Sequence, residues 1–178
     1  MSPDFLDRLL TEWLKAAPGI DTASLGIVTR IRRLANYLEK RAAAALAPLG
    51  LALWQFEVLT ALLHAPARQG MHACHLLPAA LLSPAAMTNR LDRLESSGWI
   101  LRQPDPADRR ATRVLLTPAG RALARRALKA YSNGARHALA GFTEVERTEL
   151  DRLLREFLRG QCESECPLAA SDSLTSNS

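Results

Sequence analysis

Lysine is nearly missing from this chain of 178 residues, where only Lys15, Lys40 and Lys129 stand against 20 arginines. Net formal charge is nonetheless +5, so the basic surface is almost wholly guanidinium. Guanidinium suits planar, bidentate contacts to phosphates and guanine edges. Aromatic residues make up 5%, little for a chain that must fill a sheet sandwich. Three cysteines, Cys74, Cys162 and Cys166, are too few for a disulfide framework, so a reducing compartment is expected. The longest apolar run, residues 42–54, is broken by Pro48 and Gly50 and is too short to cross a bilayer. Met1-Ser2-Pro3-Asp4 puts no basic stretch ahead of an apolar core, so no signal peptide is read and a cytoplasmic protein is expected.

His64, His72, Cys74 and His75, with the Cys162/Cys166 pair, do not have the spacing of a zinc site. No metal and no cofactor is expected. No nucleophile, base and orienting group come together either, and Ser83 reads as a helix cap, so the chain is not expected to be an enzyme.

The positive charge is uneven along the chain. Residues 1–83 carry a balance of +2, residues 84–129 +6 and residues 130–178 −3, so the centre holds more than the whole net charge. Either a solvated charged face or a nucleic-acid surface produces such a distribution.

Local patterns order the elements. Ser2-Pro3 resembles a cap and first turn ahead of Phe5, Leu6, Leu9, Leu10, Trp13 and Leu14, a stripe that Pro18-Gly19 stops. A second helix starts near Thr22 or Ser24 and ends at Pro48, and a third spans about Trp54 to Leu63. Residues 65–70 read as a loop and 72–80 as a short apolar helix. Ser83-Pro84 starts another helix, in which Met87, Leu91 and Leu94 share one side and Gly98 closes the end. Its free side carries Thr88, Asn89, Arg90, Asp92 and Arg93, the pattern of a helix-turn-helix. Two short strands, 99–102 and 112–116, flank a proline-rich segment, 104–110, that reads as a basic wing. Thr117-Pro118 caps a long helix toward Ala140 with Gly134 as a weak point, and Thr143 to Glu146 is a capping box for a last helix. From Gln161 the chain is Ser-rich and expected to be disordered.

The fold class expected is mainly α with a small β-wing, a winged helix-turn-helix domain between N- and C-terminal dimerisation helices. Residues 1–50 are expected to supply dimerisation and one wall of any ligand pocket, 51–117 the DNA-binding domain, 118–160 further dimerisation helices and 161–178 a disordered tail. Leu153, Leu154, Phe157 and Leu158, with Phe5, Leu6, Leu9 and Leu10, are the expected homodimer faces.

This order, with Met87 to Glu95, Gly98-Trp99-Ile100 and Asp108-Arg109-Arg110 ahead of Val114-Leu115-Leu116-Thr117-Pro118-Ala119-Gly120, resembles the MarR family of dimeric winged-helix transcription regulators. The resemblance covers roughly residues 24–160. It implies that Ser83, Thr88, Asn89, Arg90 and Arg93 meet double-stranded DNA in the major groove of a palindromic operator, and that Arg109 and Arg110 reach the minor groove. It also implies that Asp92 pairs with Arg110.

The first helix with Trp13, the turn at Pro18 to Asp21 and Arg30 to Ala35 are similar to the urate-responsive subset of that family. That likeness implies a pocket of Trp13, Glu57, Thr88, Arg90 and Arg102 for a small aromatic anion. Glu57 and Thr88 stand where the subset has an aspartate and a serine, each with one carbon more, so the pocket is expected to be smaller or differently shaped. The resulting expectation is a ligand-released repressor. A same-fold regulator triggered by redox or by no ligand, and a non-specific DNA-binding protein, are the alternatives.

Overall fold

The computed structural model describes residues 4–66, 69–76, 84–106 and 111–165. Helix α1 (Phe5–Ala16) is capped by Asp4, whose carboxylate accepts from the N–H groups of Leu6 and Asp7 at 2.7 and 3.0 Å. The cap expected at Ser2 therefore falls two residues later. Asp4 is better placed because Asp7 returns a carboxylate to its backbone N–H, completing a reciprocal box. Arg30 of α2 (Thr22–Leu46) then bridges Asp4 and Asp7 at 2.9 and 2.6 Å, and Leu6 and Leu10 are buried where α1 packs on α2.

A 3-10 turn at Ala47–Leu49 leads to α3 (Leu53–His64), which buries Phe56, Val58, Leu59 and Leu62. Met71–His72 form strand β1, and Ala73–Leu76 form a 3-10 turn. Residues 77–83, Ser83 among them, lie outside the described residues. Strand character at His72 is imposed from outside the segment, because β1 pairs antiparallel with β3 through Met71↔Val114 and His72↔Arg113. Periodicity within nine residues does not report a partner forty residues away.

Helix α4 (Pro84–Ser96) turns Met87, Leu91 and Leu94 into the core, each 2% exposed or less. Its end is a Schellman closure: Trp99 N–H donates to Leu94 O at 3.1 Å and Gly98 N–H to Glu95 O at 2.8 Å, with Gly98 at φ +72°. Strands β2 (Ile100–Pro104) and β3 (Thr112–Leu116) pair antiparallel from Ile100↔Leu116 to Pro104↔Thr112, giving a three-stranded sheet in the order β1-β3-β2.

Thr117 ties this sheet to helix α5 (Pro118–Ala138). Its Oγ1 accepts from Gly120 N–H at 2.9 Å and donates to Gly98 O at 2.8 Å, while its own N–H donates to Trp99 O at 3.0 Å. Gly120 presses against that same carbonyl, and a Cβ added there would lie 1.9 Å from Trp99 O. The Leu-Thr-x-x-Gly pattern is thus a helix cap and a close backbone approach in one. Helix α5 runs unbroken through Gly134, and Phe56 stacks on its Tyr131 with ring centroids 4.6 Å apart. Helix α6 (Glu144–Glu165) starts with the expected box, Thr143 N–H donating to Glu146 at 2.8 Å, and continues five residues past the point where the Ser-rich tail was expected to begin at 161.

Because backbone rather than a side-chain tip opposes the new methyl, Gly120→Ala is expected to cost about 2 kcal/mol. The measurement is the urea midpoint at unchanged m. A midpoint equal to that of the parent chain would contradict the contact.

Candidate nucleic-acid interface

The apolar side of α4 is sealed against the core, so its other side faces out. Thr88, Asn89 and Arg93 are exposed and Arg90 is half-buried, so four of the five expected α4 contacts share one helix face or its edge. Ser83, Arg109 and Arg110 lie outside the described residues.

Next to that face, Glu95 takes the backbone N–H of Arg102 on Oε1 at 2.9 Å and the Arg102 Nε–H on Oε2 at 2.8 Å. Asp92, one turn earlier, accepts from Nη2 of the same guanidinium. These bonds hold the Glu95 carboxyl below its ordinary value, its hydrogen bond to the Arg102 guanidinium being the largest cause. Asp92 meets Arg102, and Arg110, its expected partner, lies outside the described residues. The reason is the tight turn at Gly98, which folds β2 back along the last turn of α4 and brings a β2 side chain within reach of both carboxylates. Nothing in the spacing of Asp92 and Arg102 announces this contact.

The residues expected around a small anion divide into groups. Glu57 of α3 is half-buried and faces Arg90 of α4, whose guanidinium carbon sits 5.1 Å from the centre of the Trp54 ring. Burial pushes the Glu57 carboxyl above its ordinary range; Arg90 opposes the shift and Glu39 adds to it. Arg102 is engaged by its two carboxylates. Trp13 lies on α1, which packs on α2, and is 38% exposed. The cavity between α2, α5 and α6 and the one between α1 and α2 are lined by none of Trp13, Glu57, Thr88, Arg90 and Arg102. The structure brings Glu57 and Arg90 together and adds Trp54, which pattern reading missed because an apolar helix start gives no sign of a stacking partner.

A buried apolar helix side, an outward face of amide, hydroxyl and guanidinium groups, and a strand pair fastened beside it define a winged-helix DNA-binding domain. The MarR family model matches residues 51–112. The HTH-type transcriptional repressor Rv2887 of Mycobacterium tuberculosis is 33% identical over 136 residues, covering 76% of this chain and 94% of its own. The chain belongs to the MarR family of winged-helix transcriptional regulators. PecS, an HTH-type transcriptional regulator of Dickeya dadantii, is 27% identical over 146 residues, covering 82% of this chain and 88% of its own. The structure of Rv2887 in complex with salicylic acid superposes with a TM-score of 0.58 at 32% identity, over 71% of this chain and 92% of that one. A mutant MarR from E. coli complexed with operator DNA gives 0.66 at 24% identity, over 88% and 99%, a likeness of fold. The relatives are named as regulators and repressors, not as enzymes.

Glu57 supplies a pH prediction. A carboxyl raised in the folded chain binds its proton more tightly there than when unfolded, so its ionised form disfavours the fold. That cost is fully present above the folded value and is relieved as pH falls through it toward the ordinary 4.5. Glu57→Gln should raise the melting temperature at pH 7 by about 1 °C, a small gain because the group is only partly buried and Arg90 opposes the shift. The gain should vanish below about pH 4.5. A lower melting temperature at pH 7 would show that the attraction of Arg90 outweighs burial.

Proposed function

We propose that this chain is a homodimeric repressor that binds a palindromic operator and is released by a small aromatic anion. The observation that carries the reading is the side-by-side fixing of α4 and the wing strands by Glu95 and Asp92 on Arg102, which holds a groove-sized helix and its wing as one unit. Thr88, Asn89, Arg90 and Arg93 take the major groove, Asn89 toward adenine and the arginines toward guanine or phosphate. Arg109 and Arg110 take the minor groove, and Ser83 contacts phosphate.

The dimer reading is supported by apolar side chains that this chain leaves uncovered. Ile27, Val28 and Leu34 on α2, Phe5 on α1, and Phe157 and Leu158 on α6 are 48–59% exposed. An apolar cavity of about 350 Å³ between α2, α5 and α6, lined by Leu34, Tyr37, Leu38, Tyr131, Leu150 and Leu154, continues that surface. Apolar area on this scale marks an interface, and a two-fold dimer sets two recognition helices one helical turn apart. Residues 1–50 and 118–160 thus supply the dimer, and 51–117 the DNA contact.

For release, Glu57 and Arg90 are the coupled pair. Glu57 can accept from an N–H or O–H of the ligand, and Trp54, with Trp13 as the expected further wall, offers a flat face. An aromatic carboxylate that engages Arg90 removes it from DNA, and operator affinity falls by the ligand's preference for the unbound state. Thr88 borders the site. Arg102, already matched by two carboxylates, is the weaker anion donor of the two arginines. Rv2887 has been solved with salicylic acid, which makes salicylate the first ligand to try. The site of action is the cytoplasm; among the described residues no single helix is long and apolar enough to cross a membrane.

Light scattering should give twice the 19.5 kDa chain mass; a monomer overturns the dimer. Arg110→Ala should weaken binding to a duplex selected from a randomised pool by at least about tenfold at fixed salt, with unchanged melting. Unchanged affinity would remove the minor-groove role. Salicylate and urate, titrated onto the preformed complex, should release DNA from the parent chain and fail to do so from Glu57→Ala; equal release from both would exclude Glu57 from the site.

A further inference from the structure

Asp105 is the charged side chain that the fold buries, 3% exposed among the described residues. It follows β2 directly, and its N–H donates to Ala111 O at 2.9 Å, closing the chain just beyond the last ladder pair, Pro104↔Thr112. Its Oδ2 accepts from Arg113 Nε of β3 and lies 3.0 Å from His72 Nε2 of β1. Arg113 reaches further, Nη1 donating to Gln69 O at 3.3 Å.

The register explains the meeting. Arg113 stands opposite His72 on one side and Gln103 on the other, and Asp105, two residues beyond Gln103, is its diagonal neighbour on the same sheet face. One carboxylate thus collects donors from both other strands. A buried ion pair is weak support for stability, since apolar residues of similar volume usually serve the fold as well. What the arrangement does fix is geometry. β1 leads into the 3-10 turn ahead of α4, so the cluster joins the far end of the wing strands to the entry of the helix-turn-helix.

We propose that Asp105, Arg113 and His72 are positioning residues for DNA binding, which set the direction of the wing relative to α4 and so determine how well the wing arginines enter the minor groove. The proposal rests on the reading above that residues between Asp105 and Thr112 meet DNA. Arg102 with Glu95 and Asp92 fastens the near part of β2 to α4, and this cluster fastens its far end to β1. With both in place the wing is held at two points.

The test uses the full-length dimer and a duplex selected with the parent chain from a randomised pool, titrated by fluorescence anisotropy at fixed salt. His72→Ala should weaken binding about fivefold or more, while His72→Gln, whose amide N–H replaces the ring donor to Asp105, should stay within about twofold of the parent. In a background of Arg109→Ala with Arg110→Ala, His72→Ala should cost nothing further, because a clamp that acts through the wing has nothing left to position. An equal loss in that background, or no loss from His72→Ala while the wing variant loses tenfold, overturns the clamp and leaves the DNA reading standing. No loss from the wing variant itself removes the DNA reading, and the clamp with it. Asp105→Asn provides a second variant, expected to follow His72→Ala in affinity, and melting curves separate unfolding from misplacement.

Discussion

Glu95 receives the backbone N–H of Arg102 on one oxygen and its guanidinium on the other, so the last turn of the recognition helix and the first wing strand move together. A charged group that accepts two bonds in fixed directions constrains angle as well as distance. Everything that would touch DNA is arranged around that joint. The apolar side of α4 fixes which face is free, the Gly98 turn brings β2 back, and Thr117 with Gly120 locks the return of the chain into α5.

The basic centre of the chain is divided between two duties. Arg102 and Arg113 are absorbed by Asp92, Glu95 and Asp105, three of the four carboxylates between residues 84 and 129. They build the domain. Arg93 is exposed on the outer side of α4, and Arg90 is half-buried at its edge beside Glu57 and Trp54. The net +6 of that segment is therefore not spread evenly over a surface.

Local signals named nearly every helix correctly. The capping box at Thr143, the Thr117-Pro118 start, the Gly98 closure and the Met87-Leu91-Leu94 stripe each involve residues within seven positions, where backbone geometry leaves few choices. Reading failed where the decisive partner was remote. Periodicity and spacing do not show His72 in a strand, Arg102 beside Asp92 or Arg90 over Trp54, because strand pairing, ion pairs and ring contacts between elements leave no periodic trace. Of the α1 stripe, Leu6 and Leu10 are buried within the chain itself, and that α2 leaves Ile27, Val28 and Leu34 exposed appears only once the chain's own core is filled without them.

The sequence by itself determined the helical elements, the wing strands, the basic centre and the family pattern, since these depend on side-chain type at short spacing. Tertiary structure alone decided which charges are spent inside the molecule. His72 and Asp105 are separated by a whole recognition helix in the chain and by 3.0 Å in space. A carboxylate pairs with whatever cation the fold delivers, and delivery depends on register and turn geometry that composition does not encode.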